Sequence, residues 1–195
     1  MRRGAEYVES LRDGRAVFLD GERVADVTTH PAFAEPIRRI AERYDLARSS
    51  EHEPITTYVD PDSGGRYGAM WLIPRTAEDL ETRRRVHRFW AEASYGLMGR
   101  TPDHVACVIT AFAGAPQFFA RGGKRFAANV LSFYEKARAE DLYLSYAIVP
   151  PQIDRSQPAH RQPEPFLYPG VVAERDGGIV VRGCQIGRAS CRERV

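Results

Sequence analysis

Leu142-Tyr143-Leu144-Ser145-Tyr146-Ala147-Ile148-Val149-Pro150-Pro151 is the stretch at which the chain changes character. Its aromatic and β-branched residues favour an extended backbone, and the proline pair cannot continue a hydrogen-bonded ladder. Beyond it, Gln157–Pro165 is a polar loop, and Val171–Glu174 and Ile179–Arg182, separated by Asp176-Gly177-Gly178, read as a hairpin. Before it, the apolar residues recur at helical spacing. The chain therefore reads as α+β. A mostly helical N-terminal domain with a small hairpin spans residues 1–140, the first strands of an antiparallel β domain span 141–185, and 186–195 form a tail of different character.

Working back towards the N-terminus, the plainest helix follows Pro74-Arg75-Thr76-Ala77-Glu78-Asp79. Thr76 is placed to accept the amide near Asp79, and acids occupy the first turn, where the helix dipole favours them. Leu80, Val86, Phe89, Trp90, Ala93 and Leu97 are the expected apolar face, with Gly96 and Gly99 marking the end. Earlier, His30-Pro31 opens a helix to about Ala47, whose stripe is Phe33, Ile37, Ile40, Ala41 and Tyr44. A short helical stretch over Gly4–Arg12 precedes Asp20-Gly21, a hairpin signal because both residues tolerate positive φ. Asp60–Gly65 is a turn between extended pieces around Ile55–Val59 and Tyr67–Ile73. Two further helices are expected over Pro102–Ala113 and Ala127–Ala139, with turn residues at Gly114-Ala115-Pro116 and Gly122-Gly123.

The 195 residues suffice for one domain and part of a second. The formal net charge is +2, and Arg188, Arg192, Arg194 and Glu193 supply all of it, so residues 1–185 are neutral. A neutral chain argues against a nucleic-acid partner, which requires a clustered basic face. Three cysteines, Cys107, Cys184 and Cys191, make neither a disulfide framework nor a metal-ligand pair. A reducing, cytoplasmic location is expected, with no membrane association, since no apolar run approaches spanning length. Ile186–Val195 resembles a translated sequencing adapter. The natural sequence is then expected to stop near Gln185, as the front portion of a longer protein.

Composition by itself nominates no catalytic group. The five histidines are scattered, with no zinc-type His pair, no dinucleotide or P-loop glycine motif, and no nucleophile elbow. Four strings in order go further: Leu72-Ile73-Pro74-Arg75-Thr76, Gly99-Arg100-Thr101-Pro102-Asp103-His104, Tyr143–Ser156 and Gly178–Gly183. Together they closely resemble the oxygenase component of the 4-hydroxyphenylacetate 3-monooxygenase family over nearly all of residues 4–185.

The resemblance implies an acyl-CoA-dehydrogenase-like architecture, cut off before its C-terminal helical bundle. It implies a two-component aromatic monooxygenase: FADH2 arrives from a separate NAD(P)H flavin reductase, reacts with O2 to a flavin C4a-hydroperoxide, and oxygen enters a phenol at the ortho carbon. The full-length protein would be a homo-oligomer and the fragment alone inactive. Arg100 matches the arginine at the substrate oxygen, where a fixed cation favours the phenolate. His104 stands where the family often has Tyr, and Tyr146 where its best-known members have His. Both remain able to donate a hydrogen bond, so these departures bear on which phenol is taken. Tyr146, Ala147, Ile148, Gln152, Ile153, Asp154 and Arg155 match the flavin-contacting segment. The plainer roles are a salt bridge for Arg100, a surface position for His104, a core aromatic for Tyr146 and a structural turn around Asp154. Two other functions compete. A 4-hydroxybutyryl-CoA dehydratase of the same superfamily needs several thiolates for its iron–sulfur cluster, which Cys107 alone does not supply. A non-catalytic helical module would bind a partner through the surface left open by the missing domains, whereas exposed apolar residues clustered where the C-terminal bundle should dock are better explained by truncation.

Overall fold

In a computed structural model, residues 1–97, 101–154, 156–164 and 166–187 are described. The capping box expected at Thr76 opens α4, Ala77–Ala93: the Thr76 hydroxyl accepts from the Asp79 amide at 3.1 Å, and the Asp79 carboxylate accepts from the Thr76 amide at 2.9 Å. The helix stops earlier than its apolar spacing suggests. Ser94 caps it, Tyr95 and Gly96 turn to φ 52° and 68°, and the Gly96 amide donates back to the Ala91 carbonyl at 2.9 Å. That reversal satisfies the last carbonyls and throws Leu97 off the stripe, 88 % exposed. Leu80, in the first turn, is also exposed, so the buried face reduces to Val86, Phe89 and Trp90.

Before α4 lie α1 (Gly4–Ser10), the hairpin β1–β2 (Val17–Leu19, Glu22–Val24), α2 (Pro31–Ala47), a single turn α3 (Glu53–Thr56) and the ribbon β3–β4 (Thr57–Val59, Arg66–Gly68). The β1–β2 turn is Asp20-Gly21, with φ 52° and 86°, and Leu19 pairs with Glu22. Gly4 seats α1 on α2, because a Cβ there would lie 2.5 Å from the Ala41 carbonyl oxygen. The extended piece expected over Tyr67–Ile73 pairs only as far as Gly68. Ala69–Trp71 instead form a 3-10 turn, and the run Ala69-Met70-Trp71-Leu72 is wholly buried. A ribbon strand presents alternate residues to its open face and cannot bury four in succession. The turn allows Ala69 to join Ala47, Val86, Phe89 and Trp90, while Met70 and Trp71 join Ala106, Ala113, Tyr134 and Ala137.

After α4 come α5 (Pro102–Gly114), α6 (Pro116–Ala120) and α7 (Lys124–Ala139). The sequence reading treats Pro116 as part of a turn, but it is the first residue of α6, where its missing amide costs nothing. Tyr134 on α7 donates its hydroxyl to the Trp71 carbonyl at 2.5 Å, tying α7 to the 3-10 turn. Arg138 pairs with Asp60 at 3.0 Å and lies 4.1 Å over the Tyr67 ring.

The strand expected from Leu142 begins only at Ala147. Asp141 takes φ 49°, and the Leu142 amide donates to the Ala137 carbonyl at 3.0 Å, closing α7. Leu142 and Leu144 then pack on the cluster of Met70, Trp71 and Tyr134 (the first core) rather than entering a sheet. By Cα proximity the chain divides into Met1–Leu144 and a second unit from Ser145. In the second unit β5 (Ala147–Val149) pairs antiparallel with the backbone of β8 (Ile186–Gly187), and β6 (Gly170–Arg175) with β7 (Gly178–Arg182). Residues 188–195, most of the expected tail, lie outside the described residues.

Candidate functional site

The segment matched to flavin contact lies within the second unit. Tyr146 precedes β5, Ala147 and Ile148 are in it, and all three are exposed. The only strand paired with β5 among the described residues is β8. After Pro150-Pro151, Gln152 is exposed and Ile153 half-buried. Asp154 is exposed and bonds within its own loop. Its Oδ1 accepts from the Ser156 amide at 2.9 Å and from the Ser156 hydroxyl at 2.6 Å, and these bonds hold the carboxyl below the usual carboxylate range. The Gln162 side chain donates to the Asp154 carbonyl at 2.6 Å and the Gln157 carbonyl at 3.0 Å. The loop is thus shaped by its own hydrogen bonds. Arg155 lies outside the described residues.

The phenol-site residues expected from the first unit flank the start of α5. Arg100 lies outside the described residues. Thr101 is the N-cap, and its carbonyl accepts from the His104 amide at 3.0 Å. His104 is half-buried on the first turn. The structure therefore brings Tyr146, Ala147, Ile148, Gln152, Ile153 and Asp154 into one unit and keeps His104 in the other.

A group that sequence reading missed lies between α4 and α5. Asp103 is buried, and its Oδ2 makes a short hydrogen bond with His87 Nδ1. His87 Nε2 is 3.6 Å from Cys107 Sγ, and Arg83 Nη2 donates to that sulfur at 2.9 Å. Arg83 Nη1 also donates to the Met70 and Leu72 carbonyls, at 3.1 and 2.7 Å, which fixes the guanidinium. Hydrogen bonds to Asp103 and then to Cys107 push His87 up to about 9, so its imidazole is charged at neutral pH. Burial alone would raise Asp103, but its bond to His87 holds the carboxyl below its ordinary value. The only hint in sequence is a repeat of spacing, four residues from 83 to 87 and four from 103 to 107. Nothing local says that the two helical faces meet, so Cys107 looks solitary until they do.

A family model described as "4-hydroxyphenylacetate 3-hydroxylase N terminal" matches residues 3–191. The oxygenase component of 4-hydroxyphenylacetate 3-monooxygenase from Thermus thermophilus is 38% identical over 186 residues, covering 95% of this chain and 37% of that protein. The oxygenase component of 4-nitrophenol 2-monooxygenase from a Rhodococcus species is also 38% identical, covering 94% of this chain and 34% of that protein. A crystal structure of a 4-hydroxyphenylacetate 3-monooxygenase oxygenase component complexed with FAD and 4-hydroxyphenylacetate superposes with a TM-score of 0.85 at 38% identity, over 94% of this chain and 37% of that one. The chain thus spans a little over a third of the length of these relatives, and its helix-rich, small-sheet architecture matches their N-terminal region.

Proposed function

Because the chain belongs to the 4-hydroxyphenylacetate 3-hydroxylase family through that N-terminal region, we propose that it is the front part of a reduced-flavin-dependent monooxygenase that hydroxylates a phenol ortho to its hydroxyl group. The observation that carries this reading is the likeness, over nearly the whole chain, to an oxygenase component whose structure holds both FAD and 4-hydroxyphenylacetate. A separate flavin reductase supplies the FADH2, as the name oxygenase component implies for the relatives. When bound, FADH2 provides the reducing equivalents that activate O2.

The second unit suits a flavin. An isoalloxazine ring needs an apolar surface beside hydrogen-bonding groups, and here exposed Tyr146 and Ile148 lie close in sequence to exposed Gln152. We assign Tyr146–Ile148, Gln152, Ile153 and Arg155 to flavin contact. Asp154, already satisfied by Ser156, sets the shape of the loop and acts through its neighbours.

The first unit supplies the substrate end. The Arg100 guanidinium holds a phenolate oxygen as a fixed positive charge, and an ionised ring is the stronger carbon nucleophile. His104 donates a hydrogen bond to the same oxygen or takes its proton. With His104 and Tyr146 in place of the family's more usual Tyr and His, the phenol accepted is expected to differ from 4-hydroxyphenylacetate. The test uses a full-length protein carrying this chain, supplied with FADH2, O2 and a panel of para-substituted phenols. Catechol formation is expected. Arg100→Met should lower its rate by about 10² or more, and unchanged hydroxylation would remove Arg100 from the reaction.

A further inference from the structure

Beside the residues given to the phenol, Arg83, His87, Asp103 and Cys107, none of them assigned a role so far, gather between α4 and α5. Residues four apart share a helix face, so Arg83 and His87 face α5 together, and Asp103 and Cys107 face α4. Asp103 orients His87 through Nδ1, which leaves Nε2 directed at Sγ, 3.6 Å away. Arg83 reaches the same sulfur at 2.9 Å and is held there by two backbone carbonyls. The buried Asp103 carboxylate meets both His87 and the Thr101 side chain, which holds it in place beside the imidazole.

We propose that Cys107 is a nucleophilic thiol, activated by the Asp103–His87 pair and by Arg83, which a hydroperoxide oxidises to a sulfenic acid. A thiolate is the attacking form of cysteine, and adjacent cations stabilise it. A carboxylate–imidazole–nucleophile line is the arrangement that activates weak nucleophiles generally. A purely structural Arg83, clasping the carbonyls of residues 70 and 72, accounts for Nη1 but not for the ordered line from Asp103 through His87 to sulfur. In the step, a sulfur electron pair attacks one peroxide oxygen, an S–O bond forms and the O–O bond breaks. The sulfur is oxidised by two electrons and the peroxide reduced. The thiol first gives its proton to solvent; His87, already charged, protonates the departing hydroxide or alkoxide and is recharged from solvent. The products are Cys107 sulfenic acid and water or an alcohol.

Cys184 is exposed in the second unit and serves as an internal control. The 195-residue chain is treated with limiting hydrogen peroxide in the presence of dimedone, which traps sulfenic acid, and peptides bearing each cysteine are quantified over time. Cys107, although less exposed, should be trapped about tenfold faster than Cys184. His87→Gln and Asp103→Asn should each slow Cys107 to near the Cys184 rate and leave Cys184 unaltered. Equal or slower trapping of Cys107 in the unaltered chain overturns the proposal, and that comparison requires no substitution. So does a folded His87→Gln chain, verified by circular dichroism, in which the Cys107 rate does not change.

Discussion

His87 and Leu80 sit on the same helix, and each carries a consequence that its neighbours decide. His87 has a folded-state value near 9 against an ordinary 6.5, because Asp103 and Cys107 favour its charged form. A group raised in this way contributes stability that is fully present below about pH 6.5 and is lost as pH rises through about 9. Urea midpoints measured from pH 6 to 9.5 should therefore fall across that window, and should flatten in Asp103→Asn; an equal slope in both proteins would show that the pair is not linked to folding. Leu80 lies nine residues before Phe89, about two and a half turns, and so on the opposite side of the helix; it is 58 % exposed, where Phe89 is 8 % exposed. Phe89→Ala should cost about 3–5 kcal/mol in chemical denaturation, and Leu80→Ala less than about 0.5 kcal/mol. Similar costs for the two would mean that α4 is buried on both sides. The helical period already separates the two, and including Leu80 in the expected apolar face stretched that face beyond the stripe of Val86, Phe89 and Trp90 that is buried.

Elements show where local signals suffice. The Thr76 capping box, the Pro31 helix start and the Asp20-Gly21 turn were all legible, because each is decided by residues within a few positions of itself. Thr76→Ala should destabilise the fold by about 1 kcal/mol, with Thr76→Ser restoring most of it; a silent Thr76→Ala would mean that α4 is held by packing alone. The 3-10 turn at Ala69–Trp71 and the helix α6 were not legible. Their form is dictated by two separate apolar clusters that claim alternate sides of one short segment, and by Pro116 restarting a helix just after another ends. The late start of β5 has the same origin: Leu142 and Leu144 have strand-like composition but find more burial on the first core.

At the scale of the whole molecule, the first unit has two buried clusters, whereas β6 and β7 form a two-stranded ribbon with Val171, Val172, Ile179 and Val181 between 40 % and 60 % exposed. A lone ribbon is marginal in water. Amide exchange should therefore be much faster in β6–β7 than in α7, and comparable protection would contradict this ordering. Phe112, Phe118, Phe126 and Phe133 are also 41–63 % exposed, so the chain by itself should bind a hydrophobic dye in its native state; no dye fluorescence would show those rings to be covered. The sequence alone determined the α-then-β order, the principal helices and hairpins, and the resemblance to the oxygenase family, because local capping, turn chemistry and ordered motifs need no distant partner. Only the tertiary structure decided which stripes are buried, where α4 and β5 begin or end, and that Arg83, His87, Asp103 and Cys107 form one cluster. Those outcomes depend on contacts between helices well separated along the chain, and a periodicity gives each helix a face without saying what that face meets.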